Sequence, residues 1–366
     1  MTNGSAVSPV GPGLVAAPRT VPERVDAALA AFLAGQRRRL GGIDEALLAV
    51  AEAVEAFVLR GGKRLRPSFG YWGYRGAGAP DSDAVVTALT ALEFVQASAL
   101  IHDDVMDCSD TRRGQPAIHR RFAALHRAGR WHGGADAFGD SAAILVGDLC
   151  MVWSDELLHT SGLDPQTLAR ARPHYDEMRT EVTVGQYLDV LNQATGDTSA
   201  ERASKVAQYK SAKYTVERPL LIGAALAGAP PALSAAYSGY GLPLGEAFQL
   251  RDDVLGVFGD PAVTGKPAGD DLREGKRTFL VAAAFAAADN GARRALVAGL
   301  GDPALDAAGV DRLRGIIADT GALQRTEHRI AELAEEALAA LAAAPVDPAA
   351  AAELTALATA ATHRAV

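Results

Sequence analysis

Cysteine is nearly absent, because the 366 residues include only Cys108 and Cys150. A disulfide framework or a cysteine-based zinc site needs more cysteines at defined spacings, so neither is predicted. A pair this sparse favours a reducing compartment, and we expect a cytoplasmic protein. An excess of positive charge is also lacking, because the net charge is -8. A general nucleic-acid or anionic-membrane surface is therefore not predicted, and any anionic ligand must meet a local basic cluster.

A signal sequence and a long linker are lacking as well. Residues 1–22 are rich in Gly, Pro, Ala and Val, their only basic side chain is Arg19, and Pro9 and Pro12 interrupt any apolar core. We therefore predict a disordered tail over 1–22. No linker of real length follows, so we predict one domain over residues 23–366.

Strand patterns are scarce, whereas helix-forming residues are abundant. Ala, Leu, Glu and Arg dominate, and apolar residues recur at i, i+3 and i+4, so the fold class is predicted to be all-α. The segment from Ala84 to Ile101 is apolar enough to suggest a membrane span, but it carries Glu93 and leads into acidic residues. We interpret it as a buried core helix without stable membrane insertion. A second long helix is predicted from near Ala232 to Gly259, kinked at Pro243.

Acidic residues end the first of these apolar helices. Asp103 and Asp107 are one turn apart on the same helix face, and Asp104 is about 100° round the helix from Asp103. Unpaired carboxylates are costly on a buried helix, and the helix dipole disfavours negative charge at a C-terminal end. The sequence departs from both of these preferences at the same helix end, which indicates a site where an external charge compensates the acids.

The pattern returns about 150 residues later, where another apolar helix ends in Asp252 and Asp253. A further acid, Asp189, follows a third helical segment. Carboxylates gathered without His or Cys suit a hard cation, and magnesium binds one or two carboxylates together with substrate phosphate oxygens. Two such clusters facing one another could hold several magnesium ions around a diphosphate.

Basic residues are concentrated near predicted helix ends. The glycine turn at Gly61-Gly62 is followed by three bases, and two arginines follow the first acidic motif directly. Single bases of this kind are usually solvated surface groups, but their interleaving with acids in a net-acidic chain favours phosphate binding. Arginine can contact phosphate with two hydrogen bonds, and lysine acts as a point charge.

These stretches together resemble the trans-isoprenyl diphosphate synthases, also called polyprenyl synthetases. GGKRLRP, LIHDDVMD, DTRRGQP, GQYLD, YKSAKYT and FQLRDDVLGVFGD occur in the order and spacing of that family, and the resemblance covers residues 23–366. The flanking sequence is most similar to bacterial geranylgeranyl diphosphate synthases. The resemblance implies a single-domain orthogonal helical bundle around a central prenyl-tail cavity, and it implies a homodimer.

The resemblance also implies roles for individual residues. It implies that up to three magnesium ions are held by Asp103, Asp104, Asp107, Asp189, Asp252 and Asp253, with Asp104 in support and Asp189 and Asp253 holding metal-bound water. It implies that isopentenyl diphosphate is bound by Lys63, Arg66, Gln96 and Arg113. It implies that an allylic diphosphate (dimethylallyl, geranyl or farnesyl) is bound by Arg112, Lys210, Ser211, Gln249, Lys266 and Lys276. The catalytic residues are then Asp103, Asp107, Asp252, Lys210 and Gln249.

The implied reaction is ionisation of the allylic diphosphate, attack by the isopentenyl double bond on the carbocation, and proton loss. One position departs from the family pattern, because Gly256 stands where many members have the last aspartate of the second motif. Product length in the family depends on the residues just before the first motif. Here Ser98 and Ala99 are small, and Val95 and Leu92 could form a deeper floor, so geranylgeranyl diphosphate is the expected product.

Other classes remain as alternatives. The product could be farnesyl diphosphate or a longer chain. A class I terpene cyclase would normally lack Asp252-Asp253 and the bases Lys63 and Arg66, and a non-catalytic prenyltransferase subunit would have lost acidic or basic motifs. A metal phosphohydrolase is suggested only by His102 next to Asp103, and it would need an upstream histidine that the chain lacks. The glycines between 239 and 245 have the wrong spacing for a dinucleotide site.

Overall fold

The computed structural model describes residues 19–260 and 269–362, and these residues are almost entirely helical. The first ten helices are α1 Val21–Ile43, α2 Leu48–Leu59, α3 Leu65–Gly76, α4 Asp83–Met106, α5 Ile118–Gly129, α6 Ala135–His159, α7 Pro165–Thr195, α8 Ala200–Ala207, α9 Arg218–Ala227 and α10 Pro231–Phe258. The remaining ones are α11 Asp270–Glu274, α12 Phe279–Ala287, α13 Asn290–Gly299, α14 Ala307–Asp319, α15 Ala322–Ala343 and α16 Pro348–Thr362. The all-α prediction is confirmed.

Three short elements complete the described chain. A 3₁₀ turn at Glu45–Leu47 joins α1 to α2, and a π-helix over Gln208–Glu217 joins α8 to α9. The strands β1, Thr111–Arg112, and β2, Gln115–Pro116, form a small antiparallel hairpin directly after α4. This hairpin turns Arg112, which follows the first acidic motif, back towards α4.

Helix α1 begins earlier than the sequence predicted. Thr20 is its N-cap, and Thr20 and Glu23 form a reciprocal capping box, with Pro22 in the first turn. Because the backbone amides of the first turn find their partners in this box, Pro22 belongs to the helix and not to a tail. The rest of the predicted tail, residues 1–18, lies outside the described residues.

Helix α4 crosses the middle of the largest apolar cluster. Ser82 caps it, and it packs mainly on α6, α3 and α1. It is long and apolar enough to span a membrane, but 72% of its apolar window is buried inside the protein. Phe94 and Ile101, for example, are fully buried. The interpretation of this segment as a core helix is therefore confirmed by its packing.

Helix α10 runs through Pro243 without interruption and ends at Phe258, close to its predicted end. Its glycines explain the apparent dinucleotide pattern. A side chain at Gly241 would overlap the backbone of Glu217, and one at Gly245 would overlap the backbone of Ala212. On the opposite side, a side chain at Gly185 of α7 would overlap the backbone of Lys210. The three glycines therefore let α7 and α10 contact the backbone of the π-helix directly.

Candidate active site

A cavity of about 820 Å³ lies where α4 and α10 end, and the π-helix and the glycine turn before α3 form other parts of its wall. Twelve of the residues singled out from the sequence line this one cavity: Lys63, Arg66, Gln96, Asp103, Arg112, Arg113, Asp189, Lys210, Gln249, Asp252, Asp253 and Lys276. They come from segments up to 213 residues apart in the sequence, and the fold brings them together around one cavity.

Asp103 lies at the centre of the first acidic cluster. Its carboxylate accepts hydrogen bonds from Lys210 Nζ at 3.0 Å and Gln186 Nε2 at 2.9 Å, and an Arg112 nitrogen lies 3.3 Å from its second oxygen. Burial opposes ionisation of Asp103, but Lys210, Lys276 and Arg112 together hold its pKa well below the usual range. The expectation of an unpaired acid was therefore wrong, because protein cations already compensate this charge.

Asp104 faces away from the cavity. It is fully buried and pairs with Arg112, whose Nε donates to it at 2.8 Å. Asp104 is therefore not placed as a direct cavity ligand, and it orients Arg112, which does line the cavity. The hairpin of β1 and β2 makes this return of Arg112 onto α4 possible.

Asp107 caps the C-terminal end of α4, and its carboxylate contacts Lys276 Nζ at 3.2 Å. The pKa of Asp107 is raised to about 6, mainly by burial and also by the neighbouring Asp103, while Lys276 opposes the shift. Lys276 also contacts Glu274 at 2.6 Å and Asp271 at 3.6 Å. It thereby connects the first acidic cluster to α11.

The second acidic cluster has a different environment. Gln249 Nε2 donates to Asp253 Oδ1 at 2.7 Å from one turn earlier on α10. Burial raises the pKa of Asp253 to about 8, and the negative charges of Asp271, Asp252 and Asp189 add to the increase. Asp189 contacts Lys210 at 2.7 Å, so Lys210 connects the two clusters through Asp103 and Asp189.

Gly256 has an evident reason to be glycine. A side chain at this position would overlap the carboxylate of Asp271 from α11. Asp271 therefore fills the space next to the position at which many family members carry the last acid of the second motif. Asp271, Glu274 and Gln186 were not predicted from the sequence. Gln186 adjoins Gly185 in a motif quoted above, and this was the available signal.

The basic turn on the other wall carries the predicted isopentenyl-side residues. Arg66 donates to Thr215 Oγ1 at 2.8 Å and lies 4.0 Å above the ring of Tyr214, both in the π-helix. Arg113 donates to the carbonyl of Gly61 at 3.1 Å. Burial lowers the pKa of Arg113, and nearby arginines lower it further, while Glu93 opposes the shift. The turn is thus a concentration of positive charge.

Some predicted residues do not line this cavity. Ser211 is buried in the π-helix, and Leu92, Val95 and Ser98 are buried within α4, where Ala99 is partly exposed. The structure therefore does not place the predicted product-length residues at the described cavity wall. Lys266 lies outside the described residues. His102, the basis of the phosphohydrolase alternative, contacts the carbonyl of Ile144 at 3.0 Å on α6.

The acids do not converge on one point. Within residues 19–260 and 269–362, no group of three His, Cys, Asp or Glu side chains is close enough to hold a metal ion by itself. The cavity instead alternates carboxylates with lysine and arginine. Such an arrangement suits ligands that bring their own oxygen atoms, such as a diphosphate.

Comparison with known proteins defines the class. The polyprenyl synthetase family model matches residues 48–315. A solved geranylgeranyl pyrophosphate synthase from Corynebacterium glutamicum, in complex with isoprenyl diphosphate and magnesium, superimposes with a TM-score of 0.92 at 43% identity, covering 94% of this chain and 99% of that one. Geranylfarnesyl diphosphate synthase from Aeropyrum pernix is 34% identical over 298 residues, which are 80% of this chain and 87% of the relative.

A third relative broadens the comparison. A polyprenyl synthase structure from Caulobacter crescentus, in complex with calcium and isoprenyl diphosphate, has a TM-score of 0.74 at 31% identity and covers 95% of this chain and 100% of that one. The chain belongs to the polyprenyl synthetase family. It is an enzyme, a trans-prenyltransferase of the isoprenyl diphosphate synthase type.

Proposed function

We propose that the enzyme condenses isopentenyl diphosphate with an allylic diphosphate and yields geranylgeranyl diphosphate as its main product. The observation that carries the proposal is the division of one cavity into two kinds of wall. One wall has the two acidic clusters with Lys210 and Lys276, and the other has Arg66 and Arg113 with Lys63. Two diphosphates can bind there, one with metal and one on protein bases alone.

The acidic wall fits magnesium. Its donors are all carboxylate oxygens, and Mg²⁺ usually takes one or two carboxylates, phosphate oxygens and several waters. We assign Asp103, Asp107 and Asp252 as the direct ligands of up to three ions, with Asp104, Asp189 and Asp253 in support. Bound Mg²⁺ would stabilise negative charge on the departing diphosphate.

Cationic side chains of the protein are proposed to stabilise the same departing diphosphate. Lys210, Lys276 and Arg112 lie beside the acids and line the same cavity as Gln249, so we assign these four to the allylic diphosphate. The assignment of Ser211 and Lys266 to this diphosphate stays a prediction from the sequence. Charge develops on this diphosphate as the allylic bond breaks, so fixed cations there act where they are most effective. Lys63, Arg66, Gln96 and Arg113 would hold isopentenyl diphosphate close by, with its double bond directed towards the cation.

Incubation of the purified protein with labelled isopentenyl diphosphate and each allylic primer tests the assignment. We expect elongation in Mg²⁺ and none in excess chelator. A protein that incorporates no label with any primer, or that elongates fully in chelator, contradicts the proposal.

Product length is assigned from α4. Each turn before Asp103 moves about 5.4 Å from the diphosphate, and the residues one turn back, Ser98 and Ala99, are small. A tail running along this helix would pass them and stop near Val95 and Leu92, which favours twenty carbons over fifteen. Ala99→Phe, or Ser98→Phe, should shorten the main product to farnesyl diphosphate while turnover continues. An unchanged product distribution from a folded variant contradicts this route and leaves farnesyl or longer products open.

The assembly is proposed to be a cytoplasmic homodimer formed through α6. Phe138, Leu145 and Val152 follow one another at seven-residue intervals and are 37%, 67% and 61% exposed. A repeat of seven on a helix makes one continuous apolar line, which is the pattern that pairs with a second helix. Leu145→Glu should convert the dimer to a monomer in light scattering, whereas Val297→Glu, an equally exposed apolar position on α13, should not. A wild-type monomer at micromolar concentration contradicts the proposal.

A further inference from the structure

The glycine turn is followed by three bases within four residues, and the middle base has different surroundings from the other two. Lys63 and Arg66 are the proposed ligands of isopentenyl diphosphate. Arg64, between them, is only 3% exposed, and its side chain is directed into the protein. A buried arginine needs compensating partners, because an unpaired buried charge is strongly unfavourable.

The partners of Arg64 come from three helices. Its Nε donates to Asp26 of α1 at 2.8 Å, one terminal nitrogen contacts Glu93 of α4 at 2.6 Å, and the other donates to the carbonyl of Val58 of α2 at 2.8 Å. Glu93 is itself 5% exposed. One guanidinium therefore attaches the turn to α1, α2 and α4 at the same time.

The backbone of the turn depends on this attachment. Arg64 has φ 49° and ψ 38°, in the left-handed region that favours glycine, and it follows Gly61 and Gly62, which also have positive φ. The carbonyl of Arg64 accepts hydrogen bonds from the amide and hydroxyl of Ser68, which fixes the start of α3. A side chain held by three partners can maintain a backbone conformation that is sterically unfavourable.

All the proposed isopentenyl-side bases connect to this point. Lys63 precedes Arg64, and Arg66 is in the first turn of α3. Arg113 donates to the carbonyl of Gly61 in the same turn. Glu93 is three residues before Gln96 on α4, which places both on neighbouring positions of one helix face.

We propose that Arg64, through its buried pair with Glu93, is a positioning residue for the isopentenyl diphosphate site. This inference rests on the proposed assignment of Lys63 and Arg66 to that substrate. Arg64 is part of the cavity wall, but its guanidinium nitrogens are occupied by Asp26, Glu93 and the carbonyl of Val58. In this proposal it sets the distance and direction of the bases that bind the diphosphate. Loss of Arg64 should therefore weaken the binding of isopentenyl diphosphate and leave the binding of the allylic diphosphate nearly unchanged.

Steady-state kinetics on Arg64→Gln test the inference. We expect KM for isopentenyl diphosphate to rise about 10-fold, since small displacements of binding groups have effects of this order or larger. KM for the allylic substrate should change less than about 2-fold, because none of the hydrogen-bond partners of Arg64 is a proposed ligand of that substrate. Arg64→Lys, which keeps the charge but not the three-way contact, should give an intermediate value, and it serves if Arg64→Gln fails to fold.

A matched control separates positioning from general stability. Arg24 of α1 also pairs with two acids, Asp81 and Asp83, but none of these three residues lines the cavity. Arg24→Gln should lower the melting temperature and leave both KM values unchanged. Arg64→Gln should raise KM for isopentenyl diphosphate even at temperatures at which it is fully folded.

A double-mutant cycle tests the partner. Glu93→Gln alone should also raise KM for isopentenyl diphosphate, and the double variant Arg64→Gln/Glu93→Gln should be less impaired than the sum of the two changes, because neither charge is then left alone. Equal effects on both substrates, or a lowered melting temperature with both KM values unchanged, would overturn the inference. A wild-type enzyme without isopentenyl incorporation would instead refute the proposed function, so the two failures can be distinguished.

Discussion

The two acidic helix ends look alike in sequence but differ in how their charge is compensated. At the end of α4, Asp103 contacts Lys210 and Arg112, which hold its pKa low. At the end of α10, Asp253 accepts a hydrogen bond from the neutral Gln249, and its pKa rises to about 8. Asp103 is therefore kept ionised by protein cations, whereas Asp253 binds a proton more readily and gains its charge when a cation approaches; Asp107, beside Asp103, also has a raised pKa, of about 6. Similar motifs can thus differ in readiness to bind metal.

The largest expected effect comes from removing one charge on each side. Asp103→Asn and Asp252→Asn should each lower kcat by about 10²-fold or more, the scale of losing one charge-stabilising group in a transition state. Steady-state kinetics with saturating Mg²⁺ measure the loss, and circular dichroism checks that the helices remain. If either variant keeps near-normal turnover, the metal assignment on its side of the cavity is wrong.

A smaller effect is expected where the second cluster recruits Asp271. Gly256→Ala should push the Asp271 carboxylate away and lower kcat about 10-fold, because misplaced groups lose much of their effect. Asp271→Ala should lower kcat similarly and also clear the space beside residue 256. The double variant Gly256→Asp/Asp271→Ala should then recover part of the activity. Full activity in Asp271→Ala would mean that this carboxylate has no part in the site.

The smallest expected effect is on how the stability of the protein depends on pH, measured in the presence of a chelator. The pKa of Asp253 is near 8 in the folded protein and ordinarily about 3.8, so the folded state binds the extra proton between these values. Stability from this group is present at low pH and declines as pH rises towards 8. Asp253→Asn should remove this decline. The fall in melting temperature between pH 6 and pH 8 should therefore be about 1–3 °C smaller in the variant than in the wild type.

Asp103→Asn provides the matched control for this measurement. The pKa of Asp103 is lowered, so its stabilising contribution is present above the ordinary value and is lost only when pH falls further. No change in slope is expected for this variant between pH 7 and pH 8, a window above the pKa of about 6 of the neighbouring Asp107. Identical pH profiles for Asp253→Asn and wild type would show that the two acidic ends do not differ as described.

Much of the fold and part of the site could be predicted from local sequence. The apolar run from Ala84 to Ile101 predicted α4 as a core helix, and of the three aspartates that follow this run Asp103 lines the cavity, whereas Asp104 and Asp107 do not. Asp271 and Glu274 could not be found in this way, because a five-residue helix of ordinary polar composition gives no periodic signal. Their importance arises only from contact with Lys276 and Gly256. Arg64 was hidden among three bases that look equivalent in sequence.

The relative positions of the site residues on the π-helix depend on how many residues this helix contains. A π-helix has a wider turn than an α-helix, with hydrogen bonds from i to i+5, and it is equivalent to inserting residues into an ordinary helix. Lys210 reaches the acids from one part of this segment, while Thr215 reaches Arg66 from another. A change in the number of residues between them would rotate one contact by about 100° per residue relative to the other. The length of this segment is therefore expected to matter to both substrate sites, in addition to the side chains of Lys210 and Thr215.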